Sequence, residues 1–586
     1  MRRNLAPLVF AALVIATVGA FFVTTRLKRS PAVIERLTFI RHFSPNGDHR
    51  RDSVVFSVRL RRHDDATVLV VTRDGDRVRT LAENRDLRAH RTYRFRWDGR
   101  TDSGARARDG EYHLRLGLRR QGRTVTSPRK VFLDTSPPQV VVRSVTPDVI
   151  SPDGIDGGQR AVARFTGPTR TPELFVYRTD GPRPRLVARR PGERGSARVV
   201  WDGRVGLGAA RSRAPTGSYA LVVRARDAAG NVGPRIPPRR GHLHGNPGVT
   251  VRYLAARGPL TPVGPGSPVR FSVFAEGRRY RWRVRRLGSS RSVHRGSSRA
   301  RSLTMRAPVG HSGAALLEIR AGSRRYTTPF AVDEHRGRGV LVVLPAATWQ
   351  GLNPVESDGD GFPDVLPTAS RVSLRRPFAG AGPPPGFLTR DAPALLSLRR
   401  DQRRFDLTTD VALARPGAGS LSRYSGVLFT SAPIWTPRET AGVLRSYVRV
   451  GGRVGWLGTD GFLRTVALGG TYLSRPSRRL PANLFGEPVR PAPGGALSVL
   501  EDRIGFFAGI VSPLGPYPRL EESPRPAPGA RILASAGARL GRGSITVYRV
   551  PDGIVARIGA RGFASSLATS ADATRIMRRL WTLLSR

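Results

Sequence analysis

"GVLVVLPAATWQGLNPVESDGDGFPD", residues 339–364, decides how the second half of this chain folds. Its first seven residues are a continuous apolar run closed by a proline, the pattern of a strand buried on both faces of a parallel sheet. Downstream, "FDLTTD" (405–410), "GVLFTSA" (426–432) and "RVGWLGT" (453–459) read as further strands. "TPRETAGVLRSYVRVGG" (436–452) has the Thr-Pro start and glycine end of a helix. "SADATRIMRRLWTLLSR" (570–586) places Ile576, Leu580, Leu583 and Leu584 on one side of a closing helix. Strands alternating with helices predict a doubly wound α/β domain over 336–586.

Upstream the period changes from helical to two. "WDGRTDSGARARDGEYHLRL" (97–116) has a counterpart in "WDGRVGLGAARSRAPTGSYALVV" (201–223), and "FSPNGDHRRD" (43–52) in "ISPDGIDGGQ" (150–159). Short alternating runs between Gly, Pro and Asp turns predict two β-sandwich (Ig-like) modules, 36–136 and 137–245. Asp48 and Asp52 serve a turn as readily as a cation. A third sandwich-like unit is expected over 246–335. There "YRWRVR" (280–285) puts Tyr280, Trp282 and Val284 on one face and Arg281, Arg283 and Arg285 on the other. No acidic residue occurs between Glu276 and Glu318, so this face can hold an anionic polymer, or it is a solvated surface.

The chain of 586 residues is too long for one core. Its 99 basic against 43 acidic residues give a net charge of +56 and favour anionic partners. Only Lys28 and Lys130 are lysines, so part of the excess is a compositional preference for arginine. No nucleic-acid motif accompanies the charge, and no nucleic-acid partner is expected. Cysteine is absent, which removes disulfides, thiolate metal sites and thiol nucleophiles.

Residues 5–25 carry no charge and are flanked by Arg2, Arg3, Arg26, Lys28 and Arg29. Such a run reaches the roughly 20 residues a membrane-spanning helix needs. It predicts a transmembrane signal anchor over 1–30; cleavage near Val18-Gly19-Ala20 is the alternative. The expected location is the cell membrane, single-pass, with the bulk of the chain extracytoplasmic in a bacterial envelope.

The repeated stretches of 36–245 resemble FlgD-type immunoglobulin-like modules of secreted and surface proteins. "VLVVLPAATWQGLN", "FDLTTDVAL", "VLFTSAPIWTPRETAGVLRSYVRVGGRVGWLGTDGF" and "ARIGARGFASSLATSADATRIMRRLWTLL" resemble the C-terminal domain of the N,N-dimethylformamidase large subunit. That resemblance implies an architecture related to class I glutamine amidotransferases and, in the family, an iron held by two tyrosines and a glutamate. One tyrosine is expected in a T-W-Q-A-Y-N stretch; here Leu352 stands in its place. The glutamate is expected in H-P-E-Y-W, where this chain has Ala432-Pro433-Ile434-Trp435. Neither Cys nor His occurs after residue 335, so Cys-His amidotransferase chemistry is excluded and iron is not expected.

Thr348, Trp349 and Gln350 are expected to line a ligand crevice at the end of the first strand, or else to be structural. Asp410, Glu439 and Asp460 are catalytic candidates near strand ends, and Tyr424 is a conceivable replacement ligand. Glu356, Asp358, Asp360 and Asp364 resemble the D-x-D-G-x-P-D calcium loops of extracellular repeat proteins, with hard oxygen ligands at alternate positions. A surface interaction or scaffold role follows. Partners would be the membrane, other surface proteins or anionic envelope polymers. The alternatives are an amide or other C–N bond hydrolase with a rearranged carboxylate/Tyr metal site, and a binder of anionic cell-wall polymer.

Overall fold

A computed structural model describes residues 6–28, 33–153, 159–234, 247–310, 312–417 and 420–586. The chain is mostly β-strands arranged in several sheets, consistent with β-sandwich modules along its first half. In the first repeat the strands Val54–Leu60 and Thr92–Trp97 face a five-stranded sheet centred on Asp64–Thr72 and Gly110–Leu118. Inward residues at alternate positions fill one core: Val54, Phe56 and Val58 from one sheet, Val68, Val70, Leu114 and Leu116 from the other.

The two repeats share their internal fastenings. Trp97 Nε1 donates to the Arg100 carbonyl at 2.8 Å, and Trp201 Nε1 to that of Arg204 at 2.9 Å. Tyr112 Oη donates four residues back to Arg108 O at 2.6 Å, and Tyr219 Oη to Pro215 O at 2.7 Å. Each tyrosine packs on its tryptophan with centroids 4.9 Å apart, so the repeated W-D-G and x-Y positions form the same corner twice.

Beyond residue 335 a ten-stranded sheet begins with five parallel strands. From one edge they are Asp406–Thr409, Val340–Leu344, Gly426–Phe429, Arg453–Leu457 and Gly553–Ile558. The other five, from Ile545–Val550 onward, are antiparallel. Val340, Val342 and Leu344 enter a core with Leu395, Leu398, Ile576 and Leu580 from the helices Ala392–Arg400 and Ala571–Ser585. Leu341 and Val343 enter the opposite core with Leu444 and Val448 of Arg438–Arg449. The all-apolar strand is thus covered on both faces, as its composition requires.

The first of these cores also takes in Leu287, Ala314, Leu316 and Ala331 from the third β-unit, so residue 335 is no break in packing. At the N-terminus a helix runs Ala6–Lys28, its side chains described from Val9 to Phe21. Val9, Phe10, Leu13 and Ile15 are exposed on it. Among the described residues no helix is long and apolar enough to cross a membrane.

Candidate functional site

After Leu344 the chain turns at Pro345 into the six-residue helix Ala346–Gly351, every residue of which is buried. Thr348 Oγ1 accepts from Trp435 N at 3.0 Å. Trp349 Nε1 donates to Asp391 Oδ2 at 3.0 Å, and its ring meets Phe378 and Phe387 edge-on. Gln350 Oε1 accepts from Asn353 Nδ2 at 3.2 Å and Arg376 Nε at 3.3 Å, while its Nε2 donates to Arg376 O at 3.2 Å. The void beside Trp349 is about 10 Å³, room for one water at most. These three side chains are therefore buried beneath the strand ends, where segments 376–391 and 430–435 cover them.

Two carboxyls are sealed in the same layer. Asp391, absent from the sequence-based candidates, accepts from Thr430 Oγ1 at 2.7 Å and Ser431 Oγ at 2.6 Å; burial raises its pKa. Asp410 Oδ1 accepts from Ala347 N at 3.0 Å, and its buried Oδ2 has no partner. Burial pushes Asp410 up to about 7. Tyr424 donates to Asp406 Oδ2 at 3.0 Å and is likewise committed.

Asp460 stands at a different strand end, in the left-handed region with φ 66°, just after Gly458 at φ 99°. Such strained backbone beyond a strand marks functional turns in many enzymes. Its N–H donates to Glu521 Oε1 at 3.2 Å, and Arg479 lies 3.5 Å from both carboxylates. Burial pushes Glu521 up to about 7, and its Oε2 is buried without a hydrogen-bond partner. Glu439 is exposed on the first turn of its helix. Among the described residues the three catalytic candidates stand apart: Asp410 in the sealed layer, Glu439 on an exposed helix turn and Asp460 beside Glu521. Glu521, which was not among the sequence candidates, is the carboxylate that meets Asp460.

The acidic loop converges more closely. Glu356, Asp358 and Asp364 each offer a carboxylate oxygen within 4.8 Å of the others. Gly359 and Gly361, at φ 89° and 79°, turn the chain so that this is possible. Asp364 Oδ2 accepts from Ser357 N and Oγ, both at 2.7 Å, whereas Oδ1 is buried and unpartnered. Burial, then repulsion between the acids, pushes Glu356 up to about 7 and Asp364 up to about 6. Arg376 Nη1, 3.9 Å from Asp364, supplies the neighbouring cation. Asp360 is not in this group: its Oδ1 accepts from Phe362 N at 2.7 Å and holds the turn.

This loop is also a joint between domains. Gly248 N donates to Gly359 O at 2.9 Å, Thr179 Oγ1 donates to Gly361 O, and Thr250 Oγ1 to Glu356 Oε2 at 3.4 Å. A Cβ on Gly361 would lie 2.9 Å from Gly248 Cα and 3.0 Å from Ala220 Cα. The loop backbone therefore seats directly on strands of the second repeat.

On the strand Tyr280–Arg286 Tyr280 and Val284 are buried and Arg281 is exposed, while Trp282, Arg283 and Arg285 are all half-buried, so the expected alternation is only partial. Arg283 does not point to a partner outside the chain. It donates to Glu318 at 2.9 Å, as do Arg320 at 3.0 Å and Arg325 at 2.9 Å, with Arg285 at 3.9 Å. Burial raises the Glu318 carboxyl, and these arginines outweigh it and hold it below the ordinary value. The face keeps a positive surplus, since one carboxylate meets four guanidiniums.

Among solved structures the chain is similar to fibronectin(III)-like modules of Clostridium thermocellum CbhA. Identity there is 14%, TM-score 0.18, with 37% of this chain and 91% of that one covered. E. coli alpha-2-macroglobulin is 12% identical, TM-score 0.16, over 52% and 23%. A multidomain stretch of titin is 12% identical, TM-score 0.15, over 52% and 98%. No curated protein matches the chain. Residues 300–483 match the family described as N,N-dimethylformamidase beta subunit-like, C-terminal, so the dimethylformamidase resemblance holds for the stretch that carries the first parallel strands and the acidic loop.

Proposed function

We propose that the protein is a membrane-anchored extracytoplasmic interaction protein whose dimethylformamidase-like domain is a scaffold, not a catalyst. The observation that carries this is the sealing of the Thr348–Gln350 layer: the side chains that would face a ligand are spent on internal hydrogen bonds. The donor set does not fit the family's iron, because Leu352 and Ile434 offer no ligand atom and Tyr424 is bonded to Asp406. The parallel sheet covered on both faces supports a doubly wound, glutamine amidotransferase-like reading of 336–586, and the repeated Trp/Tyr corner supports FlgD-type modules upstream. The uncharged run 5–25 supports the anchor. Purified full-length protein is expected to partition with membranes, to carry no stoichiometric iron and to release no amine from small formamides. Near-stoichiometric iron that disappears on Asp460→Ala together with amine release would establish the rival reading, a C–N hydrolase at Asp460 and Glu521. That rival rests on the strained Asp460 backbone beside a raised glutamate.

Within the scaffold, the Glu356–Asp364 loop serves as a calcium clasp between the second repeat and the C-terminal domain. A divalent cation would relieve the repulsion among three converging acids and give the unpartnered Asp364 Oδ1 a ligand. Affinity near 10⁻⁴ to 10⁻³ M, roughly that of extracellular modules, is expected. Saturating calcium should then stabilise the full chain by about 1–3 kcal/mol relative to chelator. Thermal melts with calcium and with chelator check this: wild type should shift and Asp358→Ala/Asp364→Asn should not. Coincident melts for wild type in the two conditions would remove the clasp.

A further inference from the structure

A cavity of about 390 Å³ opens between the third β-unit and the helix Ala392–Arg400, within the size range of small-molecule sites. Its walls are fastened together. Leu287 N donates to Ala314 O at 2.9 Å, and Arg399 Nη1 donates to Leu287 O at 2.6 Å across the seam. Five arginines line it, Arg286, Arg336, Arg399, Arg403 and Arg404, and none of the described lining residues is a carboxylate.

Compensation of this charge is incomplete. Arg336 is paired with Glu334 at 2.7 Å. Arg286 and Arg399 are bonded to neutral carbonyls, of Val309 and Leu287, which satisfy donors without neutralising charge. Arg403 Nε is buried and has no hydrogen-bond partner. A sequestered donor of this kind is costly unless a ligand or water meets it. Beside the guanidiniums, Leu287, Leu395 and Phe405 give the cavity a buried apolar wall.

We propose that this seam binds a small amphiphilic anion, with a carboxylate or phosphate head on Arg403 and Arg404 and an apolar body against Leu287, Leu395 and Phe405. Planar guanidiniums suit both heads, because each oxyanion accepts paired N–H bonds. The apolar wall excludes a bare inorganic ion as the natural occupant, since that surface would gain nothing from it. The site is separate from the Arg281 face, where Glu318 already gathers the cations.

The test is calorimetry on the full chain with decanoate, decyl phosphate, decanol and inorganic phosphate, each below any micelle concentration. Salt is set near 0.3 M, because exposed charges on so basic a protein bind anions unless screened. One equivalent of decanoate or decyl phosphate is expected, at least tenfold tighter than decanol or phosphate; the tighter of the two assigns the head. Arg404→Gln, at an exposed position, and Arg403→Gln should each weaken binding about tenfold, and Arg281→Gln should leave it unchanged. Decanol or phosphate binding as tightly, several equivalents lost with salt, or equal weakening by Arg281→Gln would each overturn the proposal.

Discussion

Arg557→Met is expected to destabilise the C-terminal domain by about 3–5 kcal/mol, the usual cost of leaving one member of a buried ion pair without its partner. Arg557 and Glu487 are both fully buried. All five guanidinium N–H groups are used. Nε and Nη2 grip Glu487 at 2.9 and 2.8 Å; Nη1 donates to the carbonyls of Glu521 and Ser544 at 2.9 and 3.1 Å, and Nη2 to that of Gly543 at 3.0 Å. Glu487 also accepts from Asn483 Nδ2 at 2.9 Å and Thr546 Oγ1 at 3.0 Å. The group lies where the parallel half of the sheet, ending in Gly553–Ile558, meets the antiparallel half. A Cβ on Gly559 would lie 2.1 Å from Arg557 Nη1, so even the next bend is shaped around this side chain. Lysine would not substitute, since an ammonium has three donors and no fork. Urea unfolding of Arg557→Met, Arg557→Lys and Arg557→Met/Glu487→Gln measures the effect. The double variant should recover part of the loss, because Gln leaves no buried charge behind. An Arg557→Met protein within about 1 kcal/mol of wild type would show that the pair does not hold the two half-sheets together.

What could be read in advance divides along the range of the interaction. The strand Val340–Leu344 was legible because five consecutive apolar residues need covering on both faces, and the two cores meet that need. The Trp and Tyr of the two repeats were legible as a matched pattern, and they make matched hydrogen bonds. The fate of Thr348, Trp349 and Gln350 was not. Strand-end position argues for a ligand crevice, but the groups that bond to them come from 26 to 87 residues further along. Asp391 and Glu521 were invisible for the same reason: a lone carboxylate, on a helical turn in one case and on a strand in the other, carries no local sign that Trp349 or Asp460 will meet it. In the acidic loop, spacing marked Asp358 and Asp364 correctly as neighbours. Asp360, between two positive-φ glycines, gives its Oδ1 to Phe362 N and holds the turn, a conformation that the motif allows and does not dictate. Docking of that loop on Gly248 and Thr179 depends on a surface more than 100 residues earlier and left no trace in the local sequence.

The pH dependence of stability is expected to pass through Asp410. The residue opens the short helix Asp410–Leu413, where Thr409 Oγ1 caps by accepting from Ala412 N at 3.0 Å. Burial is the main reason its carboxyl is pushed from 3.8 up to about 7, and the bond from Ala347 N only partly opposes it. A carboxyl raised in the folded state binds its proton more tightly there than in the unfolded chain. Its contribution is therefore complete below about pH 4 and is lost as pH rises through about 7. Between about pH 5 and about pH 8 the loss should be about 3 kcal/mol, at about 1.4 kcal/mol per pKa unit. Other raised acids, Glu356, Asp364 and Glu521, act in the same direction, so the wild-type slope alone does not isolate Asp410. Asp410→Asn does, because the amide keeps the acceptor for Ala347 N and cannot ionise. Denaturant unfolding of both proteins at the two pH values should give a wild-type deficit that grows by about 3 kcal/mol on going to the higher pH. A deficit that stays constant would mean that Asp410 is already ionised in the fold. The sealed layer beneath the strand ends would then hold a charge, and the scaffold reading would lose its main support to the hydrolase.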